Sequence, residues 1–251
     1  MFKASGSYDP LPDIEVPEMT NPSDILVFDG HLYIPDNMSP HSCHYFGIHS
    51  DSDHCVWKIP TSEPASSAQQ EKMLTSLNKW WPWTLSRTSD GRQIIISTLT
   101  DKVFFWNPEQ NLHEIETVTL PHDIPTAQHI IELSCQSYLI CTRSSQHKVR
   151  RLVREGNTMC VAGIPSSLDV QHPRHLAKLR DGKVLVTDNI SNNVLVLAND
   201  LSSPMALLRC GINGRKRPCR VAYDSSSSQL VVAFHHSAGL YSLIVDHVEA
   251  V

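Results

Sequence analysis

The chain is 251 residues long, with 41% hydrophobic and 19% charged residues, which excludes a disordered polar chain and suits a single all-β domain. Its formal charge is −5, but residues 1–120 carry 7 Lys+Arg against 16 Asp+Glu (−9) and residues 121–251 carry 14 against 10 (+4). That balance excludes a broadly basic nucleic-acid binder and leaves room for a local basic face.

The first residues, MFKASGSYDPLPD, lack the apolar core of a signal peptide. No apolar run nears the roughly 20 residues that span a bilayer, so no membrane role is expected. The seven cysteines form no CxxC pair and read as reduced thiols of a cytoplasmic protein.

In chain order, DIEVPE (13–18) reads as an isolated strand. PSDILVFDGHLYIPDN follows from Pro22, with a hairpin signal at Asp29-Gly30, and resumes at HCVWKI, 54–59. The same pattern returns in PWTLSRTSDGRQIIISTLTDKVFFW (82–106) and, in a weaker copy, in HIIELSCQSYLICTRSSQHKVRRLV (129–153). In that weaker copy Ser134-Cys135-Gln136 stands where the others have Asp-Gly. It returns again in HPRHLAKLRDGKVLVTDNISNNVLVL (172–197) and PCRVAYDSSSSQLVVAFHHSAGLYSLIV (218–245).

The third strand of successive copies ends near Trp57, Trp106, Leu152, Leu197 and Leu243, gaps of 49, 46, 45 and 46 residues. EKMLTSL, HEIETVTLP, TMCVAGIP and MALLRCGI supply a fourth strand between copies. Each copy then predicts a four-stranded antiparallel sheet, a to d, and the period is that of propeller blades.

The phrase from 172 to 197, with its Pro, Asp-Gly turn, VLVTD and NVLVL, resembles the NHL repeat; the copies at 82 and 218 match less closely. The resemblance covers about nine-tenths of the chain and implies a β-propeller over residues 1–251. Such propellers generally have six blades, and five repeats are visible here. Segment 13–18 could close a five-bladed ring; a six-bladed ring with one blade missing or irregular is the slightly favoured reading. The resemblance also implies a substrate-recognition scaffold of the kind attached to tripartite-motif ubiquitin ligases. The RING, B-box and coiled-coil parts are not in this sequence.

HSCHYFGIHSDSDHC, 41–55, falls in a b–c connection lengthened by an insertion over 38–53. A zinc ion there would take Cys43, His44, His54 and Cys55. Adjacent residues seldom ligate together and no finger spacing is met, so a polar surface loop is the better expectation, with no cofactor.

The residues opening each strand a share the b–c face. Trp83, His129, Arg174, His175 and Arg220, with Arg215, Lys216 and Arg217 beside the last, are therefore expected to bind a partner. A protein partner is favoured, and RNA is the alternative that the basic residues allow. A second alternative is a lyase- or lactonase-like enzyme with a channel metal, for which His129, His175 and Asp24 occupy comparable positions. Thr84 and Arg220 at the matching positions speak against it. The sequence leaves the partner's identity and the oligomeric state open.

Overall fold

Short turns set the registers, and the first hairpin shows how. Asp29 and Gly30 take φ of +44° and +68°, the paired left-handed conformation of a two-residue hairpin turn. Phe28 is thereby set opposite His31. At Asp181-Gly182, Gly182 takes φ +85° and the Asp181 carboxylate accepts the Lys183 N–H at 3.0 Å. The weaker copy has no glycine to spend, and Gln136 itself takes φ +62°.

The computed structural model describes residues 19, 22–36, 54–61, 70–74, 81–110, 115–142, 149–163, 170–198, 205–209, 217–224, 229–236 and 239–245. Among them are nineteen strands and no helix. They form five successive antiparallel runs. The first is β1 (Leu26–Phe28), β2 (His31–Asp36), β3 (Cys55–Pro60) and β4 (Glu71–Met73). The second is β5 (Pro82–Arg87), β6 (Ile94–Thr98), β7 (Lys102–Trp106) and β8 (Glu116–Thr119). The third is β9 (Ala127–Ser134), β10 (Ser137–Thr142), β11 (Val149–Glu155) and β12 (Thr158–Val161).

The fourth run is β13 (Pro173–Lys178), β14 (Val184–Asp188), β15 (Asn193–Leu197) and β16 (Met205–Arg209). The fifth is β17 (Arg217–Asp224), β18 (Gln229–His236) and β19 (Gly239–Val245). The predicted strand order a–b–c–d is met in four runs and a–b–c in the fifth. Segment 13–18 lies outside the described residues.

By contacts the chain divides into two compact units. One is drawn from Asp9–Ala127 and Glu155–Met159, the other from Gln128–Arg154 and Cys160–Val251. In the first, Phe28, Tyr33, Val56 and Met73 pack against Leu85, Ile94, Ile96, Phe104 and Trp106. The Tyr33 and Trp106 rings meet edge to face at 5.5 Å, the arrangement that aromatic quadrupoles favour. β12 lies parallel to β8 through Thr158 and Thr119.

In the second unit the period of two explains why strand b is apolar throughout. Val184 and Val186 face Ile131, Leu139 and Cys141 on one side, while Leu185 faces Val221, Leu230 and Val232 on the other. A strand sandwiched between two neighbouring sheets has no solvent face, so alternation disappears from its sequence. The basic run on β11 follows the same logic. Arg150 is buried and Arg151 half-buried, opposite Ile140 and Leu139, so these side chains are packed rather than displayed.

The long connection of the first run leaves a clean join. Asp36 pairs with Cys55 across β2 and β3, so everything between them departs from and returns to one rung of the ladder. Residues 37–53 are outside the described residues.

Candidate functional site

Three of the strands a begin irregularly, and in the same way. Register shifts fall between Pro82 and Thr84, between Pro173 and His175, and between Pro218 and Arg220. The residue that follows each proline, namely Trp83, Arg174 or Cys219, is thus the extra residue of a β-bulge. Proline has no N–H to give the ladder, and the bulge re-aims the residue behind it. The sequence pattern "Pro then one variable residue" is the signal for this device, and its meaning was not apparent without the register.

A residue at or just before the opening of strand a binds the following strand a. In the first unit Asp24 Oδ2 accepts the Leu85 N–H at 2.9 Å. In the second, His129 Nδ1 accepts the Leu176 N–H at 3.2 Å, and His175 Nδ1 accepts the Val221 N–H at 3.4 Å. His175 also gives its own N–H to Thr187 Oγ1 at 3.0 Å. Three side chains of two chemical types therefore do one job at equivalent positions. The His129 and His175 rings stack at 3.7 Å with 21° between their planes.

An imidazole that accepts through Nδ1 is neutral and carries its proton on Nε2. A metal on Nε2 would displace that proton, and moving it to Nδ1 would set N–H against N–H. These rings are therefore built as acceptors for the backbone and donors at Nε2, which is the wrong tautomer for a ligand set.

Arg174 is half-buried, and its Nη1 donates to Gln128 Oε1 at 3.1 Å. Arg220 is half-buried, and its Nη1 donates to the Cys219 carbonyl at 2.9 Å. Both guanidinium charges act on the Cys141 thiol behind them. Burial nevertheless dominates and pushes that thiol up to about 12; the backbone of His129, then Arg220 and Arg174, pull the other way.

The sign of the pH effect follows. The Cys141 thiol ionises at 9.0 in its usual setting, so above pH 9 the unfolded chain loses its proton first. Its contribution to stability is complete below pH 9 and is lost as pH rises toward 12. Tyr33, pushed up to about 12 mainly by burial, adds to the same alkaline loss. We expect the melting temperature to fall between pH 8.5 and 10.5, and to fall less in Cys141→Val; thermal melts across that range check it.

The b–c turn of the fourth run completes the face. The Asp188 carboxylate is fully buried. It accepts the N–H groups of Gln171 and His172 at 2.8 Å each and that of Ile190 at 3.2 Å. The Asn189 N–H reaches the His172 carbonyl at 3.0 Å. One carboxylate thus fastens the chain entering β13 to the turn leaving β14. Ile190 stands on this fastened turn, 57% exposed, and sequence reasoning had passed over it.

Of the other expected site residues, Trp83 is half-buried and Arg217 exposed at the start of β17. Arg215 and Lys216 lie outside the described residues, as do Cys43 and His44. His54 and Cys55 are buried. Cys55 packs with Trp57 and Ile59, and the His54 ring lies 5.7 Å from that of Trp81. The described half of the expected zinc set is therefore part of the packed sheet.

No protein-family model and no curated protein sequence matches the chain. Solved structures do. Virginiamycin B lyase from Staphylococcus aureus is 13% identical, with a TM-score of 0.55 over 92% of this chain and 71% of that one. A gluconolactonase-like structure is 12% identical, with a TM-score of 0.58 over 90% and 74%. The nidogen/laminin complex matches at 15% identity, TM-score 0.57, over 75% and 70%. Identities this low carry the fold and nothing finer. With the repeated antiparallel runs among the described residues, they make this chain a β-propeller.

Proposed function

We propose that the chain is a non-catalytic protein-interaction propeller, an NHL-type scaffold or substrate-recognition module of the cytosol. It engages a protein partner through the face formed by the starts of the strands a and the b–c turns. The observation that carries this reading is Ile190: a large apolar side chain, 57% exposed, on a turn held by a buried carboxylate. A rigid, exposed apolar side chain is the kind of anchor that interface centres use, and rigidity lowers the entropy that binding costs.

The lyase and gluconolactonase structures keep the enzyme reading in view through fold alone. The tautomer of His129 and His175 works against a channel metal, so the interaction reading is preferred. RNA binding is disfavoured by the net −9 of residues 1–120, which a long polyanion would meet.

The test is affinity capture with the wild-type protein and with Ile190→Asp, followed by titration of the purified partner. We expect Ile190→Asp to weaken binding at least about tenfold with its melting temperature unchanged, since an exposed side chain contributes little to folding. A partner that binds both proteins equally would remove this face from the reading.

A further inference from the structure

We infer that the first sheet receives a blade-like β-sheet from a partner protein on the side turned away from the second sheet. That partner brings aliphatic side chains and one hydrogen-bond acceptor for the Ile25 N–H. The inference goes beyond the loop-face reading and stands apart from it.

The repeats show what this side is written for. In the second run Leu85, Ile94 and Ile96 pack against Phe28, Tyr33 and Val56 of the sheet before it. In the fourth, Leu176, Val184 and Val186 pack against Ile131, Leu139 and Cys141 of the third. In the fifth, Val221, Leu230 and Val232 pack against Leu185, Val194 and Val196 of the fourth. Register makes Ile25, Leu32 and Ile34 their counterparts, since Leu26 lies opposite Tyr33 as Ser86 lies opposite Ile95.

The counterparts lack the cover. Leu85, Leu176 and Val221 are 3%, 1% and 2% exposed, and Ile25 is 59% exposed. Leu32 and Ile34 are half-buried. Leu26 and Phe28 turn toward the second sheet, so alternation along the strand sends Ile25 and Val27 the other way. Val27 lies beside Leu32 and is also exposed. It stands where two other strands a carry the exposed cations Arg87 and Lys178. An apolar residue replaces a charged one on the side that has lost its cover, which marks a docking surface.

The backbone says what the occupant must carry. The Leu85 N–H ends on Asp24 Oδ2, that of Leu176 on His129 Nδ1 and that of Val221 on His175 Nδ1. Every acceptor comes from the preceding sheet. The Ile25 N–H is the equivalent donor, and no acceptor meets it among the described residues. Two residues after each acceptor stands an aliphatic side chain, Leu26, Ile131 or Ala177, packed toward the following sheet. The occupant is expected to repeat this pattern, an acceptor side chain followed two residues later by an aliphatic one.

This chain does not supply such a sheet itself. In its fifth run the residue after the bulge is Arg220, as His175 is in the fourth. A guanidinium has five donors and no acceptor, so it cannot serve an N–H. A second copy offers the same arginine, and its Asp24, His129 and His175 are already engaged by Leu85, Leu176 and Val221. The acceptor therefore comes from a different protein.

The experiment has two parts. Residue-resolved amide exchange on the protein alone should show Ile25 exchanging at least about 100-fold faster than Leu85, Leu176 and Val221. An Ile25 amide as slow as those three would mean that its acceptor lies within the chain, and the inference falls. Next, a photoreactive p-benzoylphenylalanine replaces Val27, the protein is irradiated in extract of its source cells, and the cross-linked peptide is sequenced. The expected peptide belongs to another protein and carries Asp, Asn, His, Ser or Thr two residues before an aliphatic residue. Once purified, that protein should slow Ile25 exchange, and Ile25→Asp should weaken its binding at least about tenfold with the melting temperature unchanged. A cross-link to this chain or to its copy, a peptide without the pattern, or no cross-link overturns the inference.

Discussion

Asp188→Ala lowers the stability of this protein by about 3–5 kcal/mol, the sum expected when several backbone donors in and beside the core lose a charged acceptor. The Gln171 and His172 N–H groups bond at 2.8 Å and that of Ile190 at 3.2 Å, and the carboxylate has no exposure. Alanine offers none of them a partner, and the space it vacates is too small for a bulk-like water shell. Asp188→Asn should fall between: its oxygen can keep His172 and Ile190, while its amide NH₂ faces the Gln171 N–H, donor against donor. Urea denaturation of the three proteins should rank them wild type, Asn, Ala. A cost for Ala below about 1 kcal/mol would mean that the turn is held by its backbone alone. The same variant ties structure to function. Ile190 is displayed by this carboxylate, so folded Asp188→Asn should bind the partner more weakly although position 188 touches nothing outside.

The architecture was unusually legible in the sequence, for a physical reason. Each repeat needs a tight turn, a doubly buried strand b and a second apolar strand, and these demands leave Asp-Gly, IIIST or VLVTD, and KVFFW or NVLVL in the chain. Strand c of the first run begins at Cys55, within the expected HCVWKI, because the pair with Asp36 closes the ladder. The site was only partly legible. Periodicity locates His129 and His175 at equivalent positions, but it cannot reveal that each Nδ1 serves a neighbouring strand; that depends on sheet-to-sheet packing. The repeat places Trp83 and Arg174 on the face as residues that open strands a. That both occupy a post-proline bulge is a matter of register, which residue identity does not encode. Asp188 read as the end of a strand motif, and only its four backbone N–H partners disclose it as a fastener. Ile190 was missed because one isoleucine in a polar turn carries no pattern at all.

The histidines supply the sharper test of what the inner strands are for. If Nδ1 is an acceptor by design, its role should pass to any side chain with an oxygen at that place. The first run already makes the exchange, since Asp24 Oδ2 serves Leu85 as His175 Nδ1 serves Val221. Asparagine sets Oδ1 where histidine has Nδ1, so His175→Asn should keep the Val221 bond and lose chiefly the ring stack with His129, worth about 0.5–1.5 kcal/mol. His175→Leu fills the space but leaves a half-buried N–H without its acceptor, which adds about 1–3 kcal/mol. The expected order in urea is wild type, Asn, Leu, with the gap between Asn and Leu the larger step. Nitrogen-15 spectra of the imidazole rings should show the proton on Nε2 at neutral pH, and added zinc should leave the wild-type melting temperature unchanged. A proton found on Nδ1, or a zinc-induced rise in melting temperature that His175→Asn abolishes, would turn the rings from structural acceptors into ligands. The enzyme reading would then displace the interaction reading.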